Sequence, residues 1–497
     1  MENIRKNIWR FCLILFGSII FASVAFAANK ANLPQNMIKI IETIIQFDLE
    51  SGDKSKAIWQ GFSPIKRPLL IYFDGVGSVL FNHPKPPADF NLFRRFLPKM
   101  IAIDKPIFFR AGALSENFSS VYSYLNYNNR KTFFFNALTD DKFGLLAHES
   151  FHFYQEKYFK AIEIPYSKRD DFSIVSDKSL ATMYLEQIML AQALLSESDW
   201  KESVKNFIAL RSERYLWENP FVIKREEQME QLEGSAQYVE MKSEKWLEHW
   251  PENYAQIKTA SLLTVFLSPA YMERSRYYHT GPAQMLILDK MNIDWKKEVA
   301  SGKSIFEILK KAMKLKKTEI PSIIKKIHFN YDFSSLMNTA RKKRVEELDK
   351  RKIKLKEFNS ANREKIILGI HKFPKGWSGS IGQAPIWISM SGQAKFFPEL
   401  RIREFNNQNY GYIKIRNTML KYTKKREEYC YDLEILLSLN EKPEFIVDGK
   451  KFIPSVHNAE FKHIEIHSKT LKLNLKLAGA IRRERNKTIV NFQEAEK

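Results

Sequence analysis

The residues best suited to chemistry stand between Leu145 and Glu156, LLAHESFHFYQE, where His148, Glu149 and His152 form H-E-x-x-H inside an apolar pattern of helical period. On a helix, residues four apart leave the same face one turn apart, so both imidazoles can grip one tetrahedral metal ion. Glu149 then lies within reach of a water on that ion, where a carboxylate can act as general base. The chemistry implied is zinc-assisted hydrolysis. Leu145, Leu146, Phe151 and Tyr154 make the helix mostly buried, and Thr139, Asp140 and Asp141 supply its start. A buried His-Glu-His cluster is costly unless a metal or strong hydrogen bonds satisfy it, so the rival reading is a hydrogen-bonded pair of core histidines.

A catalytic zinc takes three protein ligands and leaves the fourth position for water. Glu233, in the string REEQMEQLEGSAQYVE, is the first choice for the third, because Gly234 and Ala236 would let that helix approach the H-E-x-x-H helix closely. Glu230 and Glu240, about one and two turns from Glu233, are expected to have at most a supporting role. Further on, Tyr277-Tyr278-His279-Thr280-Gly281 is followed by Ala283 and an apolar run from Met285 to Asp289.

Together these strings resemble the gluzincin metallopeptidases, in which H-E-x-x-H is followed on a second helix by Glu-Gly-x-Ala or a similar string. The segment Tyr278-x-x-Gly281 is similar to the Tyr-x-x-Gly of their aminopeptidase branch, and the resemblance covers roughly Thr132 to Trp295. It implies a zincin-like metallopeptidase domain with Zn²⁺ held by His148, His152 and Glu233, and Glu149 as the base. It also implies that Tyr278 stabilises the oxyanion, with His279 as the alternative. Asp171, in SKRDDFS, and Glu230 stay open as replacements for the third ligand. The exopeptidase string Gly-x-Met-Glu-Asn is not found, so the choice between exo- and endopeptidase is left open.

The elements that must position these groups follow from periodicity. A helix is expected at Met37 to Phe47, a strand at Pro68 to Phe73, and a loop in the proline-rich FNHPKPPADFN. Thr132 to Leu138, TFFFNAL, reads as a strand just before the H-E-x-x-H helix, either a sheet edge along which a peptide could lie or a core strand. Helices are expected from about Lys178 to Leu315, then a charged connecting helix around ARKKRVEELDKRKIKLKEF. Beyond Ile366 the period changes from 3.6 to 2, with seven or eight short strands and a hairpin at Asp448-Gly449, which suggests a β-sandwich. His463, Glu465 and His467 alternate along one of these strands, most simply as its solvated face while Ile464 and Ile466 enter the core.

The expected fold is therefore α+β: a catalytic domain predominantly helical after its active-site helix, then a C-terminal all-β, sandwich-like domain. The segments are 1–27, 28–130 (mixed α/β), 131–335 (metallopeptidase domain), 336–365 (charged helical linker) and 366–497 (β-rich). Residues 1–27 read as a secretory signal: Arg5, Lys6 and Arg10, an apolar run from Phe11 to Val24, then Ala25-Phe26-Ala27. An uncleaved anchor is the other reading, and no later segment is apolar for long enough to span a bilayer. Of two cysteines, Cys12 falls in that segment and leaves Cys430 alone, so no internal disulfide is expected in an exported, periplasmic or extracellular bacterial enzyme.

The formal charge of +22 becomes +20 without the signal, since that segment carries three basic residues and one acid. Such a surface attracts anions, an anionic cell-envelope polymer among them, but charge speaks to encounter rather than reaction. No zinc finger, RNA-binding signature or basic-aromatic stripe is present, so no specific nucleic-acid partner is expected. The functional expectation is a secreted zinc-dependent peptidase acting on a peptide or protein. The alternative is an inactive zincin-like binding protein working through its β-rich domain and basic surface.

Overall fold

The computed structural model describes residues 35–492 apart from 52, 54–56, 74, 94–104, 113–121, 129, 138–142, 164–174, 249–250, 265–267, 360–363, 371–377, 383–387, 390–393, 408–410, 427–430, 440–441, 456–458 and 486. The signal segment with Cys12, the helix start at 139–141, Asp171, Cys430 and the expected strand residues 386–387 lie outside the described residues. The chain divides into two compact units. The first comprises 1–151 and 246–249, and the second comprises 152–245 and 250–497.

In the first unit, α1 (Gln35–Glu50) precedes six strands: β1 (Leu69–Phe73), β2 (Gly77–Phe81), β3 (Asn91–Leu92), β4 (Ile107–Ala111), β5 (Tyr122–Tyr127) and β6 (Arg130–Asn136). They form one sheet in the order β3-β4-β2-β1-β6-β5, antiparallel except where β1 runs parallel to β6. Both faces are buried, with Leu70, Leu80 and Phe134 on one and Leu69, Ile71, Phe133 and Phe135 on the other. This is why these strands read as apolar runs rather than alternating ones. The strand expected at 132–138 is interior, flanked by β1 and β5, so the sheet edge on that side is β5.

After β6 comes α2 (Phe143–Tyr158), which carries H-E-x-x-H. Its first half belongs to the first unit, where the Phe151 ring packs edge-on against Trp59 and Phe62 at 5.0 and 4.9 Å.

The second unit opens with helices α3 (Asp177–Leu195), α4 (Trp200–Trp217) and α5 (Pro220–Met229). Ser176 caps α3 through its side chain, and Asn219 with Pro220 starts α5. A five-residue π turn, Glu230–Gly234, joins α5 to α6 (Ser235–Glu248). Helices α7 (Tyr254–Leu263), α8 (Pro269–Arg274), α9 (Tyr277–Lys290), α10 (Lys296–Ala300), α11 (Ile305–Met313), α12 (Ile320–Asn330) and α13 (Phe333–Asn359) follow.

The π turn crosses α9 at two glycines. A Cβ on Gly281 would stand 2.7 Å from the Gly234 Cα and 3.1 Å from the Glu230 carbonyl oxygen. Backbone cannot yield as a flexible side chain can, so Gly281→Ala should destabilise by at least about 1–3 kcal/mol. An unfolding midpoint unchanged from wild type would show that the crossing is slack.

Strands β7 (Glu364–Ile370), β8 (Ser378–Gly382), β9 (Ile388–Ser389), β10 (Ala394–Asn407), β11 (Gly411–Arg426), β12 (Tyr431–Leu439), β13 (Glu444–Val447), β14 (Lys450–Phe452), β15 (Ala459–Phe461), β16 (Ile464–His467), β17 (Leu471–Leu475), β18 (Gly479–Glu484) and β19 (Lys487–Phe492) form one hydrogen-bonded sheet. Its main path is β14-β13-β16-β17-β11-β12-β7-β19-β18-β15, and only β7 and β19 pair in parallel. The expected hairpin is present: Asp448 and Gly449 take φ of 47° and 78°, and Val447 pairs with Lys450.

One apolar cluster unites Ile366, Ile413, Leu437, Phe445, Leu473 and Phe492 with their neighbours. No helix follows Asn359 among the described residues, and every buried residue of this cluster lies between Ile366 and Phe492. The mixed α and β character and the antiparallel C-terminal strands agree with the expectation. The single continuous sheet and the extra strands β7, β8, β15 and β18 go beyond it.

Candidate metal centre

Helix α2 presents His148 and His152 one turn apart, and the π turn presents Glu233. The three offer ligand atoms that lie within 4.8 Å of one another, the sole such cluster of His, Cys, Asp and Glu among the described residues. His148 is buried, whereas the side chains of His152 and Glu233 are 24% and 23% exposed. Glu149 is partly exposed beside them.

The orientation of His152 is set by Gln155, one turn further along α2. The amide nitrogen of Gln155 donates to the Leu232 carbonyl and to Ser235 Oγ, both at 2.8 Å. This turns the amide oxygen toward His152 Nδ1 at 2.7 Å. That oxygen can only accept, so Nδ1 donates to it and Nε2 is the ring nitrogen turned toward Glu233. It faces Glu233 Oε2 at 3.2 Å. Two acceptors at that separation repel unless a proton or a cation stands between them.

The donor set fits zinc. Two imidazole nitrogens and a carboxylate oxygen are its usual partners, and bonds of about 2.0–2.2 Å around a tetrahedral ion hold ligand atoms roughly 3.3–3.6 Å apart. The His152–Glu233 pair, at 3.2 Å, comes close to that spacing, within a set whose three ligand atoms all lie within 4.8 Å of one another.

Gln155 is a residue that pattern reading passed over, and so are the groups that moor Glu233's segment to the exit of α2. Gln231 donates to the carbonyls of Lys160 and Val299 and accepts from the Ile162 amide. Gln228 donates to the Ile162 carbonyl. The signal that could have found Gln155 is its spacing: a buried glutamine three residues after the second histidine of H-E-x-x-H.

Gly234 has a different use from the one its sequence suggests. It meets Gly281 of α9, and Gln155 makes the close tie between the H-E-x-x-H helix and Glu233's segment. Tyr278 is half-buried on the first turn of α9, one turn before Gly281, on the helix that abuts Glu233's segment. His279 stacks on Tyr271 with ring centroids 5.9 Å apart, and burial pushes its pKa down to about 4 against a weaker upward pull from Glu240. It is therefore neutral at physiological pH.

Glu230 is drawn away from the cluster. It is fully buried and bound by Arg211 at 2.8 Å, Thr280 Oγ1 at 2.6 Å and the Gln284 amide at 2.9 Å. It belongs to a network in which Arg211, Arg214 and Arg276 meet Glu186, Glu226 and Glu230, with every side chain at 0% exposure. In the β-rich region, Glu465 sits between His467 at 2.9 Å and His463 at 3.7 Å, all three part-exposed over a core-facing Ile464 and Ile466.

No protein-family model, curated protein or solved structure matches the chain, so the functional reading rests on the site.

Proposed function

We propose that the chain is an exported zinc-dependent peptidase of gluzincin type, with a zincin-like catalytic domain in which His148, His152 and Glu233 hold the metal. The observation that carries this reading is the convergence of ligand atoms from His148, His152 and Glu233 within 4.8 Å of one another, with Gln155 orienting the His152 ring. The expectation of export is supported by the signal pattern of residues 1–27.

Bound zinc supplies Lewis acidity, lowering the pKa of a coordinated water to about 7 from near 16 in bulk. Glu149 takes a proton from the attacking water and delivers it to the leaving amine. Tyr278 donates a hydrogen bond to the developing oxyanion, a kind of contact worth about 3–4 kcal/mol where it has been removed in other enzymes. Gln155 keeps the Nδ1 proton of His152 in place, so that Nε2 is always the coordinating atom.

Two measurements bear on this. Purified mature protein should contain one zinc per chain and cleave members of a mixed peptide library, and Glu233→Ala should lose both properties. A wild type that takes up no zinc would overturn the assignment, while zinc without turnover on any peptide would favour a binding scaffold acting through the β-rich region. In addition, Gln155→Ala should weaken zinc binding about 10–100-fold in competition with a chelator, with the fold retained. Unchanged affinity would remove Gln155 from the site.

A further inference from the structure

We propose that the outward face of α13, with α12 beside it, docks the protein on an anionic phospholipid surface. The inference rests on charge and exposure alone and is independent of the metal centre.

Residues 310–359 hold sixteen Lys and Arg against six Asp and Glu, so about a tenth of the chain carries ten of its +22 formal charges. Helix α13 buries only Ala340, Glu347 and Phe358, which fall on one side of the helix at its 3.6-residue period. Lys342, Val345, Asp349, Ile353 and Lys356 fall on the opposite side and are all exposed. Val345 and Ile353, two turns apart, are 49% and 57% exposed.

The arginines of α13 are committed elsewhere. Arg351 reaches Glu273 and Glu347 at 3.1 and 2.9 Å, and Arg341 and Arg344 reach Asp177 at 3.2 and 3.6 Å. On the outward face, Lys342 and Lys356 make no ion pair among the described residues, and Lys352 only flanks Asp349 at 3.6 Å. Helix α12 repeats the arrangement: only Ile327 is buried, and Phe329, 87% exposed, shares a face with Lys325 and Lys326.

The combination selects the partner. A lysine face alone would suit any polyanion, but Val345, Ile353 and Phe329 gain nothing from a soluble phosphate polymer. In the boundary between headgroups and acyl chains, lysines meet phosphate while apolar side chains leave water. No described helix is long and apolar enough to cross a membrane, and the face proposed here meets the lipid from outside.

The test uses the full mature chain in co-sedimentation with vesicles of phosphatidylglycerol mixed with phosphatidylcholine, beside vesicles of phosphatidylcholine alone. Wild type should bind only the anionic vesicles and release as salt rises. Each lysine at such a surface contributes about five-fold. The combined Lys342→Glu, Lys352→Glu and Lys356→Glu variant should therefore lose more than about 100-fold. The Val345→Ser and Ile353→Ser pair should bind anionic vesicles measurably less than wild type while binding soluble polyphosphate equally. All five side chains are exposed, so unfolding midpoints should match wild type. Equal vesicle binding by the lysine variant would overturn the proposal. Vesicle binding untouched by the serine pair and fully displaced by polyphosphate would overturn it in favour of a soluble polyanion.

Discussion

Glu149→Gln is expected to lower peptide hydrolysis by about 10²–10⁴-fold, the range over which a positioned base contributes. Glutamine keeps the size and shape of the side chain but cannot accept and return a proton at neutral pH. In the proposed site the ligand atoms belong to His148, His152 and Glu233, so the variant should still contain one zinc per chain. Measuring metal and turnover on the same samples separates the two roles. A variant that cleaves peptides at the wild-type rate would exclude Glu149 as the base, and one that has lost its metal would make Glu149 part of the holding set.

The second large effect concerns stability. Glu226 is fully buried and receives Arg211, Arg214 and Arg276 at 2.9, 2.7 and 2.8 Å. Glu226→Gln leaves three buried guanidinium groups facing the two carboxylates of Glu186 and Glu230. Removing one partner from a buried ion pair costs about 3–5 kcal/mol, because the remaining charge is uncompensated. A clear fall in the urea midpoint at neutral pH should follow.

The acid side sharpens that prediction. Burial works to raise the Glu226 pKa, but the three guanidinium groups outweigh it and hold the carboxyl far below the usual carboxylate range. A carboxyl whose folded pKa lies below its unfolded one stabilises the fold at pH above the unfolded value and loses that contribution as pH falls. The gap between wild type and Glu226→Gln should therefore narrow at about pH 3, where free carboxyls are protonated. Identical midpoints at neutral pH would mean that the other five members hold the helices without Glu226.

Much of this was legible in the chain because local rules govern it. The H-E-x-x-H helix, the Asp448-Gly449 turn and the alternation that sends Ile464 and Ile466 inward depend on residues close together in sequence. What stayed hidden depends on distant partners. Arg211 and Arg214 sit among Phe207, Ile208 and Leu210 on α4, where arginines are expected to face water; only acids from α3, α5 and the π turn make their burial affordable. Gly234 is small for Gly281, forty-seven residues away, a pairing no local pattern reveals. The parallel contact of β7 with β19 is likewise set by closure of the whole sheet. Gln155 was hidden for another reason: its amide is ordinary until Leu232 and Ser235 fix which way it points.

A π turn is an α-helix that has accommodated one residue too many. Between Gln228, which is anchored to Ile162, and Ser235, which is anchored to Gln155, that surplus sets the angular position of Glu233. Taking one residue out would restore regular winding and swing one anchor about 100° relative to the other. A chain shortened by a single residue there could retain every amino-acid type the proposed centre uses and still lose the clustering of His148, His152 and Glu233, so length at this turn matters to that cluster as much as composition.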